Sequence, residues 1–415
     1  MPVLKRNLFS LRRAGHVGRP EHRARGARGS ARGETPRISL RIGIDARQLE
    51  LERTGVARYL INLLRELRTL APEQRFLLYF SRGGVPEPWL NQPPFEPRRL
   101  GPRGRQQQTV WEHWRLPRAL RRDRANVLLA PYYMAPIFCP VPFAVVLHDI
   151  AFATRPDAFR RSPLFFKLRA VGYLSARRAA AILTVSDFSR REIARHYRID
   201  SGRLHVIPEA ADPVFTPVAD STELAAAIRA RYRLPNRYFL AVGSLTPRRY
   251  LAELLQGMSG LRRAHPEAAL MLVGRNLEFP PGKVEQMVED SRLGEGLRRA
   301  DYVPESDLVA LYRAAAAAIY LSSYEGFGLP VLEAMASGTP VVTADCASLP
   351  EVAGDAALLV DPRRPEAITA ALATILEQPA QAAELRRRGL EQAARFSWRR
   401  SAQATLEVLT TIARR

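Results

Sequence analysis

The stretch Ile319-Tyr-Leu-Ser-Ser-Tyr-Glu325-Gly-Phe-Gly-Leu-Pro330-Val-Leu-Glu333-Ala-Met-Ala-Ser-Gly338 admits few folds. From about Ala315 to Leu321 the residues are apolar on both faces, which suits a central strand of a parallel sheet. Pro330 stands where a first helical residue is expected, because its fixed φ suits that place and its missing N–H would find no partner there. Gly338 closes the predicted helix. Between strand and helix, Gly326 and Gly328 leave room for a ligand to approach the backbone. The free amides of the first helical turn, with the helix dipole, favour an anion such as a phosphate.

Glu325 and Glu333 frame that anion site from eight positions apart. Taken singly, Glu333 reads equally well as a first-turn acid that complements the helix dipole, and Glu325 as a solvated loop acid. Taken together, they suit a molecule with hydroxyls on either side of a diphosphate, which is the layout of a nucleotide-sugar.

This region resembles the Glu-x7-Glu region of the retaining glycosyltransferases of family 4. The run Gly-x-x-x-Leu-Glu-Ala-Met-Ala-x-Gly-x-Pro-Val-Val, from Gly328 to Val342, follows the family closely, and the likeness extends over about residues 42–398. The resemblance implies an α/β chain of GT-B fold, two Rossmann-like domains with parallel sheets facing an interdomain cleft. It also implies roles: Glu325 on hydroxyls of the donor sugar, the turn amides of Gly326, Phe327, Gly328 and Leu329 on the phosphates, and Glu333 on the ribose.

A chain of 415 residues fits two domains. The expected organisation is a disordered basic extension over 1–36, an N-terminal acceptor domain over 37–216, a C-terminal nucleotide-sugar domain over 217–396, and a final helix over 397–415 that crosses back onto the first domain. The extension has too few large apolar groups to bury; an extended start is the alternative to a functional tail. Cys139 and Cys346 form neither a disulfide framework nor a thiolate metal site by themselves, which points to a reducing compartment. No run of about 18 apolar residues spans a membrane.

The net charge is +22, and residues 1–36 hold only nine of the 63 Lys and Arg against Glu21 and Glu34, which leaves about +15 on the rest. Such a balance suits nucleic acid or an anionic membrane surface. No nucleic-acid module accompanies it, which favours the lipid side; an Arg-rich background is the bland alternative. The segment Phe159 to Arg178 mixes basic residues with Phe165, Phe166, Leu168 and Tyr173, and reads as an interfacial helix or as a packed helix with a solvated basic face.

In chain order, a strand from Ile38 to Asp45 leads to Thr54-Gly55 and a helix with Val56, Leu60, Leu63, Leu64 and Leu67 on one face. Gly55 reads as an ordinary helix start or as a backbone approach to a phosphate or sugar oxygen. The strand from Phe143 ends on His148, at the carboxyl end where open parallel sheets bind ligands. By resemblance, His148 borders sugar and acceptor. A second strand, Tyr238 to Val242, runs into Pro247-Arg248-Arg249-Tyr250, where the family has Pro-Arg-Lys-Asn. By resemblance, Arg248 and Arg249 hold the donor diphosphate, and Arg can do so bidentately. Backbone next to Val303 reads the base in the family.

These readings converge on a retaining hexosyltransferase, mannosyl-like or glucosyl-like. It would use a nucleotide-sugar donor and a glycan or lipid-linked acceptor, with no cofactor and no metal expected, because arginines and helix amides supply the charge compensation. The resemblance implies front-face attack without an enzyme nucleophile. The expected place is the cytoplasm, at the inner face of a membrane or free of it. A nucleotide-sugar epimerase of the same fold and a non-catalytic basic membrane- or nucleic-acid-binding scaffold stay open at this point.

Overall fold

The computed structural model describes residues 39–50, 55–81, 84–101, 108–155, 163–217, 222–277 and 282–415. The extension 1–36, Thr54 and the part of the basic aromatic segment from Phe159 to Ser162 lie outside them.

Two parallel sheets organise the chain. The first has seven strands, β1 (Arg41–Asp45), β2 (Arg75–Phe80), β3 (Phe95–Arg99), β4 (Val127–Ala130), β5 (Phe143–Val146), β6 (Ala181–Thr184) and β7 (Leu204–Val206), in the order β3-β2-β1-β4-β5-β6-β7. The second has six, β8 (Tyr238–Val242), β9 (Ala269–Val273), β10 (Leu297–Ala300), β11 (Ala317–Tyr320), β12 (Val341–Ala344) and β13 (Leu358–Val360), in the order β10-β9-β8-β11-β12-β13. Central strands such as β4, β5, β9 and β11 are buried at every position, because helices cover both faces and leave no polar side to alternate. In each sheet the order reverses once, between β1 and β4 and between β8 and β11. Such reversals open a crevice at the carboxyl ends of the strands.

Strand β3 lies in a Pro- and Arg-rich stretch whose composition signals no strand. It forms because it is an edge, where Pro97 opposite Leu78 leaves no ladder bond unmade on its outer side.

Helix α1 (Gly55–Leu70) buries Leu60, Leu63, Leu64 and Leu67 against the first sheet. Each fully buried leucine contributes about 1.5–3 kcal/mol. The last helix, Trp398–Ala413, packs on α1, and its Trp398, Ala402, Leu409 and Ile412 share one core with those leucines. Trp398 Nε1 donates to the Ala211 carbonyl at 3.1 Å, and Ser401 Oγ to that of Pro208 at 2.5 Å, so the chain's end is tied to the loop leaving β7. No helix of the described residues is long and apolar enough to cross a membrane.

Candidate active site

The reversal of the second sheet brings the loop after β8 against the turn after β11. Arg248 and Arg249 come from the first, Glu325 from the second. Glu325 is 8% exposed, and its Oε1 stands 3.0 Å from Arg249 Nη1 and 3.6 Å from Arg248 Nη2 while accepting from Ser322 Oγ at 2.9 Å. Arg248 Nη1 also donates to the Tyr324 carbonyl at 3.1 Å, which straps one loop to the other. The Arg249 guanidinium lies 4.3 Å over the Tyr320 ring, and its buried Nε has no acceptor among the described residues. Two guanidiniums therefore converge on one carboxylate, with donors to spare for an anion. Tyr250, at φ 50° and ψ 42°, occupies the left-handed region, which explains why Asn suits this place and costs a tyrosine about 1–2 kcal/mol.

The helix after β11, Leu329–Ala336, begins one residue before Pro330, with Gly328 as cap at φ +115°. It closes in a Schellman turn, with the Gly338 amide bonded to the Met335 carbonyl and the Thr339 amide to that of Ala334. In its first turn Pro330 has no amide and the Val331 amide donates to the Gly328 carbonyl at 2.9 Å, while the Leu329 amide has no acceptor within the helix. A side chain at 328 would also meet Leu349 Cδ2 at 2.7 Å.

Glu333 is 4% exposed, and each of its oxygens accepts one hydrogen bond. Oε1 accepts from Arg58 Nη1 of α1 at 2.8 Å, and Oε2 from the Tyr312 hydroxyl at 3.3 Å. Burial pushes its carboxyl above the usual carboxylate range, while Arg58 and Tyr312 pull it back. Arg58 reaches Glu305 as well, at 3.8 Å, and Glu305 opens the helix Glu305–Ala314 just past the buried Val303. Glu333 and Glu305 are thus joined by a cation from the first domain.

His148 stands at the carboxyl end of β5. Its Nδ1 is 3.0 Å from Glu209 Oε1, its Nε2 3.3 Å from the Pro131 carbonyl, and Tyr59 meets its ring edge-on at 4.9 Å. The space that sequence reading reserved for a ligand at Gly326 belongs instead to the His148 carbonyl, which a Cβ at 326 would overlap. Ser186 Oγ donates to the Gly326 carbonyl at 2.6 Å while capping the helix Asp187–Tyr197, where it accepts the Ser189 amide. Glu351 of the second domain accepts the Asp187 and Phe188 amides at 2.7 and 3.1 Å. Ser348 Oγ holds the Glu325 and Phe327 carbonyls, and Phe327 itself packs edge-on to Phe396 at 5.6 Å. The turn from Glu325 to Phe327 is thereby gripped from both domains. Among the described residues, nothing lies within 4 Å of the place a Cβ at Gly55 would take.

A cluster that the sequence reading passed over sits at the carboxyl end of β1. Arg47 pairs with Asp45 at 2.6 Å and Glu112 at 3.0 Å and lies 4.0 Å over Trp111. The segment Trp111–Arg115 is wound as a π-helix, a form concentrated at functional sites. Missed too were Arg58, Glu209 and Ser348. Arg58 stood within the motif Thr54-Gly55-Val56-Ala57-Arg58-Tyr59, but nothing local tells that it faces Glu333. Among the described residues no three His, Cys, Asp or Glu side chains form a metal-holding group.

Residues 53–215 match the family described as Glycosyltransferase Family 4, and residues 226–395 that described as Glycosyl transferases group 1. The chain is similar to O-antigen chain mannosyltransferase B of Escherichia coli, 30% identical over 260 residues that cover 62% of this chain and 68% of that one. It is 27% identical over 274 residues to the serotype-specific mannosyltransferase WbdA of Escherichia coli, a match over 64% of this chain and 33% of WbdA. Among solved structures, that of Anabaena HepE in complex with UDP and glucose shares its fold, with a TM-score of 0.70 at 17% identity over 90% of this chain and 100% of that one.

Proposed function

The chain belongs to glycosyltransferase family 4 and has the GT-B fold, and from this we propose that it moves a mannosyl group from a nucleotide-sugar to a hydroxyl of a glycan or lipid-linked acceptor, with retention at the anomeric carbon. The observation that carries the reading is the meeting of Arg248, Arg249 and Glu325 at the reversal of the second sheet. The bond between the anomeric carbon and the diphosphate breaks with its electron pair on the diphosphate, and the acceptor oxygen bonds to that carbon and gives up its proton to an oxygen of the departing diphosphate. Negative charge grows on the leaving group, where Arg248, Arg249 and the amides of Gly326 to Leu329 neutralise it. Preorganised donors of this kind are worth about 10²–10³-fold each. Glu325 holds hydroxyls of the sugar, Glu333 the ribose, backbone near Val303 the base, and His148 and Gly55 border sugar and acceptor from the first domain. Charge compensation by arginine makes a metal unnecessary.

The mannosyl assignment rests on the similarity to mannosyltransferases of surface polysaccharides. We place the enzyme in the cytoplasm, peripheral at the inner face of the membrane. Supporting this, the helix Pro163–Arg178 exposes Phe166, Tyr173 and Leu174 among Arg169, Arg177 and Arg178.

The test is incubation with a panel of nucleotide-sugars, with and without a mannan oligosaccharide, and NMR assignment of the product anomer. Transfer that requires acceptor and retains configuration is expected. Turnover without acceptor means an epimerase, and no turnover with any donor means a binding scaffold.

A further inference from the structure

Glu333 lies on the second domain, yet the one cation within ion-pair distance of it among the described residues is Arg58 of the first, 275 positions away in the chain. We propose that Arg58 is a positioning residue of the nucleotide site: it keeps the Glu333 carboxylate ionised and aimed for the ribose hydroxyls, so the donor site is complete only while the two domains are together. This rests on the reading of Glu333 as the ribose carboxylate.

The chemistry asks for such a partner. A vicinal diol binds a carboxylate by donating two O–H groups, and only the ionised group is an acceptor throughout; a protonated acid must itself donate. At 4% exposure an unaccompanied carboxylate would take up a proton rather than stay charged. The groups facing Glu333 are few. Arg58 arrives from α1 at 2.8 Å, Tyr312 donates from the helix Glu305–Ala314 at 3.3 Å, and Asp212, in the loop after β7, acts with burial to favour the protonated form. Glu305 lies 3.8 Å from the far side of the guanidinium. The two bonds that Glu333 accepts leave about two of its lone-pair sites for ribose, so Arg58 need not leave when nucleotide arrives. Among the described residues its buried Nε has no acceptor.

The experiment measures binding of free nucleoside diphosphates to the full chain by calorimetry between about pH 5.5 and 8.5. ADP, GDP and UDP are compared, and the tightest is carried forward. Wild type, titrated alongside, accounts for the nucleotide's own phosphate ionisation. Arg58→Met should bind at least about tenfold more weakly and, relative to wild type, lose up to a further tenfold per pH unit on acidification, as Glu333 takes up its proton. Arg58→Lys should restore a profile parallel to wild type. Glu333→Gln should be weak at every pH, and adding R58M to it should cost little more. If R58M does not fold, Arg58→Gln carries the same expectation. Wild-type affinity in R58M or R58Q while E333Q is weak overturns the proposal and spares the ribose reading. So does a loss that is independent of pH and undiminished in the E333Q background. Wild-type affinity in E333Q itself overturns the ribose reading, and the proposal with it.

Discussion

The carbonyl oxygen of His148 lies against the α-carbon of Gly326, so close that the first carbon of any side chain at 326 would fall far inside van der Waals contact. The obstructing atom is backbone, and rotating a side chain cannot clear it. Only a shift of one domain against the other can. Gly326→Ala should therefore leave both sheets folded, since neither core is touched, and lower kcat/KM by about 10²-fold, the cost of misplacing reacting groups by about 1 Å. Steady-state kinetics with thermal unfolding checks this, and activity within threefold of wild type would contradict it.

Arg249 and Glu325 neutralise each other in a buried place, so each removal has two effects. Arg249→Met should lower kcat about 10²–10³-fold. It should also destabilise the fold, because Glu325 is left buried with only the longer Arg248 contact at 3.6 Å and the Ser322 hydroxyl to hold it. Adding Glu325→Gln should restore most of that stability and none of the activity. Arg249→Lys should retain more activity than R249M. Denaturant unfolding and kinetics on the three variants separate charge from packing; stability lost equally in single and double variants would refute the pairing.

The two carboxylates should fail differently. Glu333→Gln should weaken free nucleoside diphosphate, whereas Glu325→Gln should chiefly lower transfer. Unchanged nucleotide affinity and full activity in both would remove these assignments.

Glu333 also has a pH signature. Burial raises its carboxyl, so between the usual carboxylate value and the raised one the folded chain holds a proton that the unfolded chain has released. Stability should fall as pH rises through that window and level off above it. Glu333→Gln lacks the proton, so its stability relative to wild type should improve across the window. Urea unfolding of both proteins in half-unit pH steps from about 4 upward reads the difference, and a constant difference would count against the raised carboxyl.

On the proposed mechanism activity should persist in excess EDTA, because two guanidiniums and a helix start would face the leaving group. Activity lost to EDTA and restored by Mg²⁺ or Mn²⁺ would replace this mechanism with a metal-assisted one.

Vesicles containing anionic lipid should bind the protein strongly at low salt and weakly at high salt, with each Lys or Arg at the surface contributing about 1 kcal/mol. Removal of residues 1–36 should weaken binding only in part, since most of the net charge of +22 lies beyond them. Failure of the shortened chain to bind even at low salt would leave a freely diffusing enzyme as the better description.

Much of this was legible along the chain. Apolar runs such as Val127–Ala130 and Tyr238–Val242, the leucines of α1, and the glycines and Pro330 around the second turn are local signals, because side-chain periodicity and backbone preference act within a few residues. They determined two parallel α/β layers and the strand-turn-helix element from Ala317 to Ala336, and the resemblance built on those motifs led to Arg248, Arg249, Glu325 and Glu333. Strand β3 escaped notice because an edge tolerates the proline that argues against a strand. What only the tertiary structure decided is who faces whom across the seam: Arg58 on Glu333, the His148 carbonyl on Gly326, Ser186 on the Gly326 carbonyl and Glu351 on the Asp187 and Phe188 amides. Those contacts depend on how two separately folded sheets are placed against each other. No local pattern encodes that placement, because each residue satisfies its own element's rules whichever neighbour the other domain brings.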